Sequence, residues 1–99
     1  MEKIYKIAVV EDDEPLNLSL VRILKKANYQ VKGYLNAENL YNDLKIDPQL
    51  FDIILCDHIL PGMKGLEFYK KLKKEDINTN FIIITGLNDL SLAIESIKS

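Results

Sequence analysis

Three carboxylates stand out because they sit where two apolar runs end. Ile7-Ala8-Val9-Val10 leads into Glu11 and Asp12, and Ile53-Ile54-Leu55-Cys56 leads into Asp57. A carboxylate ending an apolar strand is costly unless it has a partner or a task. Adjacent carboxylates repel, and the usual relief is a raised pKa or a bound divalent cation. With oxygen ligands alone, the natural ion is Mg²⁺ or Mn²⁺. The competing explanation of Glu11-Asp12-Asp13-Glu14 is a solvated helix N-terminus, where acidic side chains favour the dipole. Asp57 shifts the balance toward an ion, while Asp13 and Glu14 read as the cap and first turn of a helix. Thr85 closes a third run, Phe81 to Ile84, and Gly86 follows it. A hydroxyl and a backbone N–H would point into the same crevice there, although a β-branched residue before a turn is also ordinary strand chemistry.

Other chemistries drop out. One cysteine, Cys56, and one histidine, His58, allow neither an internal disulfide nor a four-ligand zinc site. They could form a thiol-imidazole pair only if a strand continued regularly through Asp57. A buried small residue and a loop histidine is the favoured reading. The four glycines, at 33, 62, 65 and 86, match neither dinucleotide nor phosphate-loop spacing. Thirteen basic against fifteen acidic residues leave a net charge of -2, so no cationic field draws nucleic acid or anionic lipid to this domain. The longest apolar runs have four residues, far short of the roughly 20 needed to span a membrane. No span and no signal-peptide pattern being present, a cytoplasmic address is expected.

The elements that must position these groups follow from periodicity. Ile4 to Val10 reads as a buried strand, and Leu16, Leu20, Val21, Ile23, Leu24 and Ala27 give a helix over roughly 15–27, with Asn17, Arg22, Lys25 and Lys26 pointing elsewhere. Gln30 to Tyr34 is a second strand. Asn36 caps a helix carrying Ala37, Leu40, Tyr41 and Leu44, which Pro48 ends. A third strand runs from Phe51 and ends at Asp57, followed by a Pro61-Gly62 turn. Gly65 to Glu75 is a helix with Leu66, Tyr69 and Leu72 toward the core and Phe68 beside them. Phe81 to Thr85 is a fourth strand, and Asp89 caps a last stripe of Leu90, Ala93, Ile94 and Ile97. The lysines of the third helix form a solvated face.

Strands alternating with helices through short connections imply one α/β domain over residues 1–99, with a doubly wound parallel sheet in the order 2-1-3-4. Helix one lies on one face and the others on the opposite face. The ligand crevice of such a sheet lies where the winding reverses, between strands one and three. Glu11, Asp12 and Asp57 should converge there.

These residues, in this order, resemble the response regulator receiver domain of two-component signalling over nearly the whole chain. Ile7-Ala-Val-Val-Glu-Asp-Asp-Glu-Pro15 is similar to its first strand and acidic pair. Asp52-Ile-Ile-Leu-Cys-Asp-His-Ile-Leu-Pro-Gly-Met-Lys-Gly-Leu66 is similar to its phosphoacceptor strand and loop, and Phe81-Ile-Ile-Ile-Thr-Gly86 to its hydroxyl strand. The resemblance implies a flavodoxin-like fold and a non-enzymatic phosphorelay module. In it Asp57 is phosphorylated by a sensor histidine kinase, Glu11, Asp12, Asp57 and the backbone carbonyl of Ile59 hold Mg²⁺, and Thr85 binds a phosphoryl oxygen and acts as a switch beside the small Gly86. An aspartate-based phosphohydrolase would instead want a second carboxylate where Ile59 stands.

Receiver domains also carry a fifth strand with an essential lysine and an aromatic switch residue, and a fifth helix. The sequence stops at Ser99 without counterparts, and Lys64 does not match the lysine's place. The expectation is therefore a receiver shortened at its C-terminal end, with Phe81 to Ile84 on an exposed edge that pairs in a homodimer. The alternative is a degenerate receiver that docks or dimerises without being phosphorylated.

Overall fold

The computed structural model describes residues 3–84, along which strands and helices alternate. The strands are β1 (Lys6–Val10), β2 (Gln30–Tyr34), β3 (Ile53–Asp57) and β4 (Asn80–Ile84). The helices are α1 (Glu14–Lys26), α2 (Ala37–Ile46) and α3 (Gly65–Lys74). All strand pairs are parallel and the order is β2-β1-β3-β4, as the alternation requires. The helix expected over Leu90 to Ile97, like Thr85 and Gly86, lies outside the described residues.

Alternation along the strands divides the apolar residues between two layers. Ile7, Val9, Ile53, Leu55 and Ile84 pack with Leu20 and Leu24 of α1. Ala8, Val10, Ile54 and Cys56 pack with Leu40 and Leu44 of α2 and with Phe68 and Leu72 of α3. Side chains of this size stabilise by about 1.5–3 kcal/mol each when fully buried. The two layers thus fix the sheet between α1 on one side and α2 and α3 on the other.

Each helix buries positions i, i+3 and i+7: Asn17, Leu20 and Leu24 in α1, Ala37, Leu40 and Leu44 in α2, and Gly65, Phe68 and Leu72 in α3. This corrects the sequence expectation at three places. Asn17 points into the protein rather than outward, Ile23 is exposed, and Leu66 is exposed while Phe68 takes the core position. The stripe begins one residue before Leu66 because Gly65 lies directly against the end of β3.

Several boundaries also move. β1 starts at Lys6, where its register with β2 begins, and Ile4 is left exposed. Capping follows expectation, with the side chain of Asp13 accepting the N–H of Leu16 at 3.1 Å and that of Asn36 accepting the N–H of Asn39 at 2.8 Å. Gly62 has φ +81°, as the second central residue of a turn after Pro61 requires.

Candidate functional site

The register of β1 and β3 builds the site. Val10 pairs with Cys56, the last pair of the ladder. One residue further on, Glu11 and Asp57 emerge side by side at the carboxyl end of the sheet. Asp12 follows in the connection to α1. One carboxylate oxygen from each of Glu11, Asp12 and Asp57 lies within 4.8 Å of the others. They line a cleft of about 450 Å³ with Asp13, Leu16, Leu20, Ile59 and Ile84. The sequence-predicted carboxylates are thus brought together, and Ile59 stands at the same cleft with its side chain largely in solvent.

The three carboxylates sit in different surroundings. Glu11 is buried, Asp57 is half-buried and Asp12 is exposed. Burial pushes the Glu11 carboxyl up, against the opposing hydrogen bond that its Oε2 accepts from the N–H of Asp13 at 3.0 Å. A hydrogen bond with the Asp12 side chain and the charges of Asp57 and Asp12 raise it further, to about 7. Three oxygens of like charge, one of them in a dry position, are the donor set of a hard divalent cation. The residues therefore fit Mg²⁺, which needs oxygen ligands and tolerates exposed positions where its waters remain.

Cys56 and His58 do not make a reactive pair. Cys56 is buried among the α2 and α3 layer, its thiol is pushed up to about 12 first by burial and then by the charges of Asp57 and Glu11, and His58 is exposed. The thiol instead lies 3.4 Å from the carbonyl oxygen of Asp57.

Two residues that sequence reasoning did not assign to the site also shape it. Gly65 donates its N–H to the carbonyl of His58 at 3.1 Å, and a Cβ there would sit 2.7 Å from the carbonyl oxygen of Asp57. Asn17 donates its side-chain amide to the carbonyl oxygens of Glu11, at 3.0 Å, and Tyr34, at 2.9 Å. The signal for both was their spacing of i, i+3, i+7 with two apolar residues of the same helix.

A four-stranded parallel sheet wound in both directions, with an acidic crevice at its reversal point, defines a flavodoxin-like domain with a candidate cation site. The chain belongs to the response regulator receiver domain family, whose family model matches residues 7–99. It is 31% identical over 91 residues to the response regulator receiver protein CpdR of Brucella abortus, covering 92% of this chain and 74% of CpdR. It is 31% identical over 96 residues to the transcriptional regulatory protein FixJ of Rhizobium meliloti, covering 96% of this chain and 46% of FixJ. A crystal structure of a receiver domain protein from Clostridium thermocellum superposes with a TM-score of 0.77 at 22% identity, covering 96% of this chain and 75% of that one, which supports the fold alone. The chain is a receiver of two-component response regulators, a class of regulatory signalling modules. No helix among the described residues is long and apolar enough to cross a membrane.

Proposed function

We propose that Asp57 accepts a phosphoryl group from a sensor histidine kinase, with Mg²⁺ held by Glu11, Asp12, Asp57 and the backbone carbonyl of Ile59. The observation that carries this reading is the meeting of three carboxylate oxygens within 4.8 Å at the carboxyl end of the sheet. A cation bound there supplies the charge neutralisation that lets an anionic acceptor meet an anionic donor. The remaining work belongs to the chain. Asp57 supplies the nucleophilic oxygen: a P–O bond to its carboxylate forms as the P–N bond to the kinase histidine breaks, leaving the electron pair on the imidazole. The N–H of Asp13 holds the Glu11 carboxylate in place. Leu16, Leu20 and Ile84 give the cleft an apolar wall that limits water around the acyl phosphate. Thr85 and Gly86, assigned on sequence alone, bind a phosphoryl oxygen and leave room for the group.

On this reading residues 1–99 act as a cytoplasmic phosphoacceptor module rather than an enzyme of turnover. Acetyl phosphate with Mg²⁺ is expected to add one phosphoryl group, seen by intact-mass spectrometry, and Asp57→Asn to abolish the gain. An undiminished mass gain in the variant would assign the acceptor elsewhere.

A second copy of the chain is the partner proposed for the outer edge of β4. That strand is last in the described sheet, and Ile83 on it is 36% exposed. Light scattering on a size-exclusion column should give twice the chain mass at high concentration; a monomer throughout would remove this partner.

A further inference from the structure

We propose that Asn17 is a positioning residue for the cation site, an amide brace that fixes the backbone of Glu11 from α1. The inference rests on the reading of Glu11, Asp12 and Asp57 as a cation site.

The brace begins with a buried polar group. Asn17 is 4% exposed and is one of two buried polar or charged residues among those described, the other being Glu11 itself. A buried amide must find partners or destabilise the fold. Both partners here are carbonyl oxygens, so the nitrogen of the amide faces them and each of its two hydrogens is used. The N–H of Glu11 also donates to the carbonyl of Tyr34, at 3.0 Å. Glu11 is therefore held on both sides of its Cα: through its N–H by the end of β2, and through its carbonyl by Asn17. The carbonyl of Tyr34 receives both donors and closes the ring. Such a clamp leaves little freedom in the direction from which the Glu11 side chain leaves the backbone, and it fixes where Asp12 begins.

The seat of the amide is itself built into the sequence. Gly33 lies in β2, and a Cβ there would meet Oδ1 of Asn17 at 2.2 Å and Cγ2 of Val21 at 3.1 Å. Gly33 is not among the positive-φ residues, so its backbone does not demand glycine. Its lack of a side chain serves the close approach of α1. Two elements distant in sequence thus leave a space that the Asn17 amide fills, beside the one ligand whose carboxylate is driven into a buried position.

A brace that merely fills space and a brace that positions Glu11 respond differently to one pair of changes. Asn17→Ala removes the amide and leaves a void. Adding Gly33→Ala supplies a methyl group in that void without restoring either hydrogen bond. Mg²⁺ affinity, read by amide chemical-shift titration, is expected to weaken about tenfold in Asn17→Ala, the scale of two lost hydrogen bonds. Amide exchange at Asp12 and Asp13 should accelerate together with it. Asn17→Ala/Gly33→Ala should regain part of the lost thermal midpoint, the added methyl lying 3.1 Å from Cγ2 of Val21, yet keep the weakened Mg²⁺ affinity. Recovery of both in the double variant, or wild-type affinity in Asn17→Ala, overturns the proposal. Should Asn17→Ala fail to fold, Asn17→Ser retains one donor and decides the matter: weakened binding supports the brace and unchanged binding overturns it. A wild-type chain with no saturable Mg²⁺ response would sink the cation site itself, and the brace with it, which is a different result from equal binding by wild type and variant.

Discussion

An aspartate stands at each end of β3, and the protein treats the two in opposite ways. Asp52, just before the strand, accepts the N–H of Lys6 at 2.8 Å and pairs with the ammonium of Lys3 at 2.9 Å. Burial alone would raise its carboxyl, but Lys3 and the Lys6 N–H overcome this and hold it below the usual carboxylate range. Asp57, at the other end, shares its cleft with Glu11 and Asp12, and among the described residues no basic side chain lines that cleft. One end is a carboxylate already supplied with its counter-charge. The other is a set of like charges with no basic partner among the described residues that line it. The same strand therefore separates a paired acid from the acid proposed as phosphoacceptor, and the discriminating property is the local balance of charge rather than the residue type.

The largest test of this contrast is the pH dependence of stability. Glu11 has a folded pKa of about 7 against an ordinary 4.5, so the folded state holds its proton more tightly than the unfolded one. Stability from this group is complete below the ordinary value and is lost as pH rises from there to about 7. The loss has an upper bound of about 3 kcal/mol. In urea unfolding without divalent ions, Glu11→Gln is expected to be more stable than wild type at pH 8 and to differ little at pH 4. Mg²⁺ should stabilise wild type more at pH 8 than at pH 5, and Glu11→Gln much less at either. Parallel pH curves for wild type and Glu11→Gln would mean that the acidic end is no more strained than the salt-bridged one.

A smaller effect reaches the same end through the backbone. Gly65→Ala would set a methyl group 2.7 Å from the Asp57 carbonyl oxygen and 3.4 Å from the Cα of His58. Both neighbours are backbone, so no flexible side chain can yield. A cost of about 1–3 kcal/mol follows from such overpacking, together with displacement of Asp57 and slower phosphorylation by acetyl phosphate. Full phosphorylation rate with lowered stability would show that Asp57 tolerates a shift of the α3 start, and that the cleft is less finely placed than the clamp on Glu11 suggests.

Much of this was legible in the sequence because strong local signals and topology pointed the same way. Apolar β-branched runs marked the strands, Asp13 and Asn36 marked helix starts, and the reversal of winding between β1 and β3 put Glu11 beside Asp57. Asn17 reads as outward-pointing in the sequence, and Gly33 and Gly65, correctly placed in their elements, carry no visible role there, for one shared reason. Their roles depend on how closely a helix approaches a strand, and periodicity alone does not report that distance. A polar Asn17 next to Leu16 suggested an outward face, yet its spacing from Leu20 and Leu24 matches that of Gly65 from Phe68 and Leu72. Leu66 reads as core on hydrophobicity, whereas the stripe of α3 is set by where β3 ends. Thr85 and Gly86 lie outside the described residues, so their assignment still rests on the resemblance of the run that precedes them.

The smallest expected effect belongs to the opposite end of β3. Lys3 is 65% exposed in its pair with Asp52, and exposed pairs contribute at most about 1 kcal/mol after solvent screening. Asp52→Asn should therefore lower stability by less than this at neutral pH. The lowered pKa of Asp52 means that its contribution is present above the ordinary carboxylate value and fades as pH falls toward the folded value, so wild type and variant should converge in acid. Mg²⁺ affinity and phosphorylation should be untouched, because four strand residues, Ile53 to Cys56, separate the two aspartates and each carboxylate answers to its own neighbours. A change in Mg²⁺ affinity comparable to that of Glu11→Gln would show that β3 transmits charge or strain along its length, and the two ends could no longer be treated as independent.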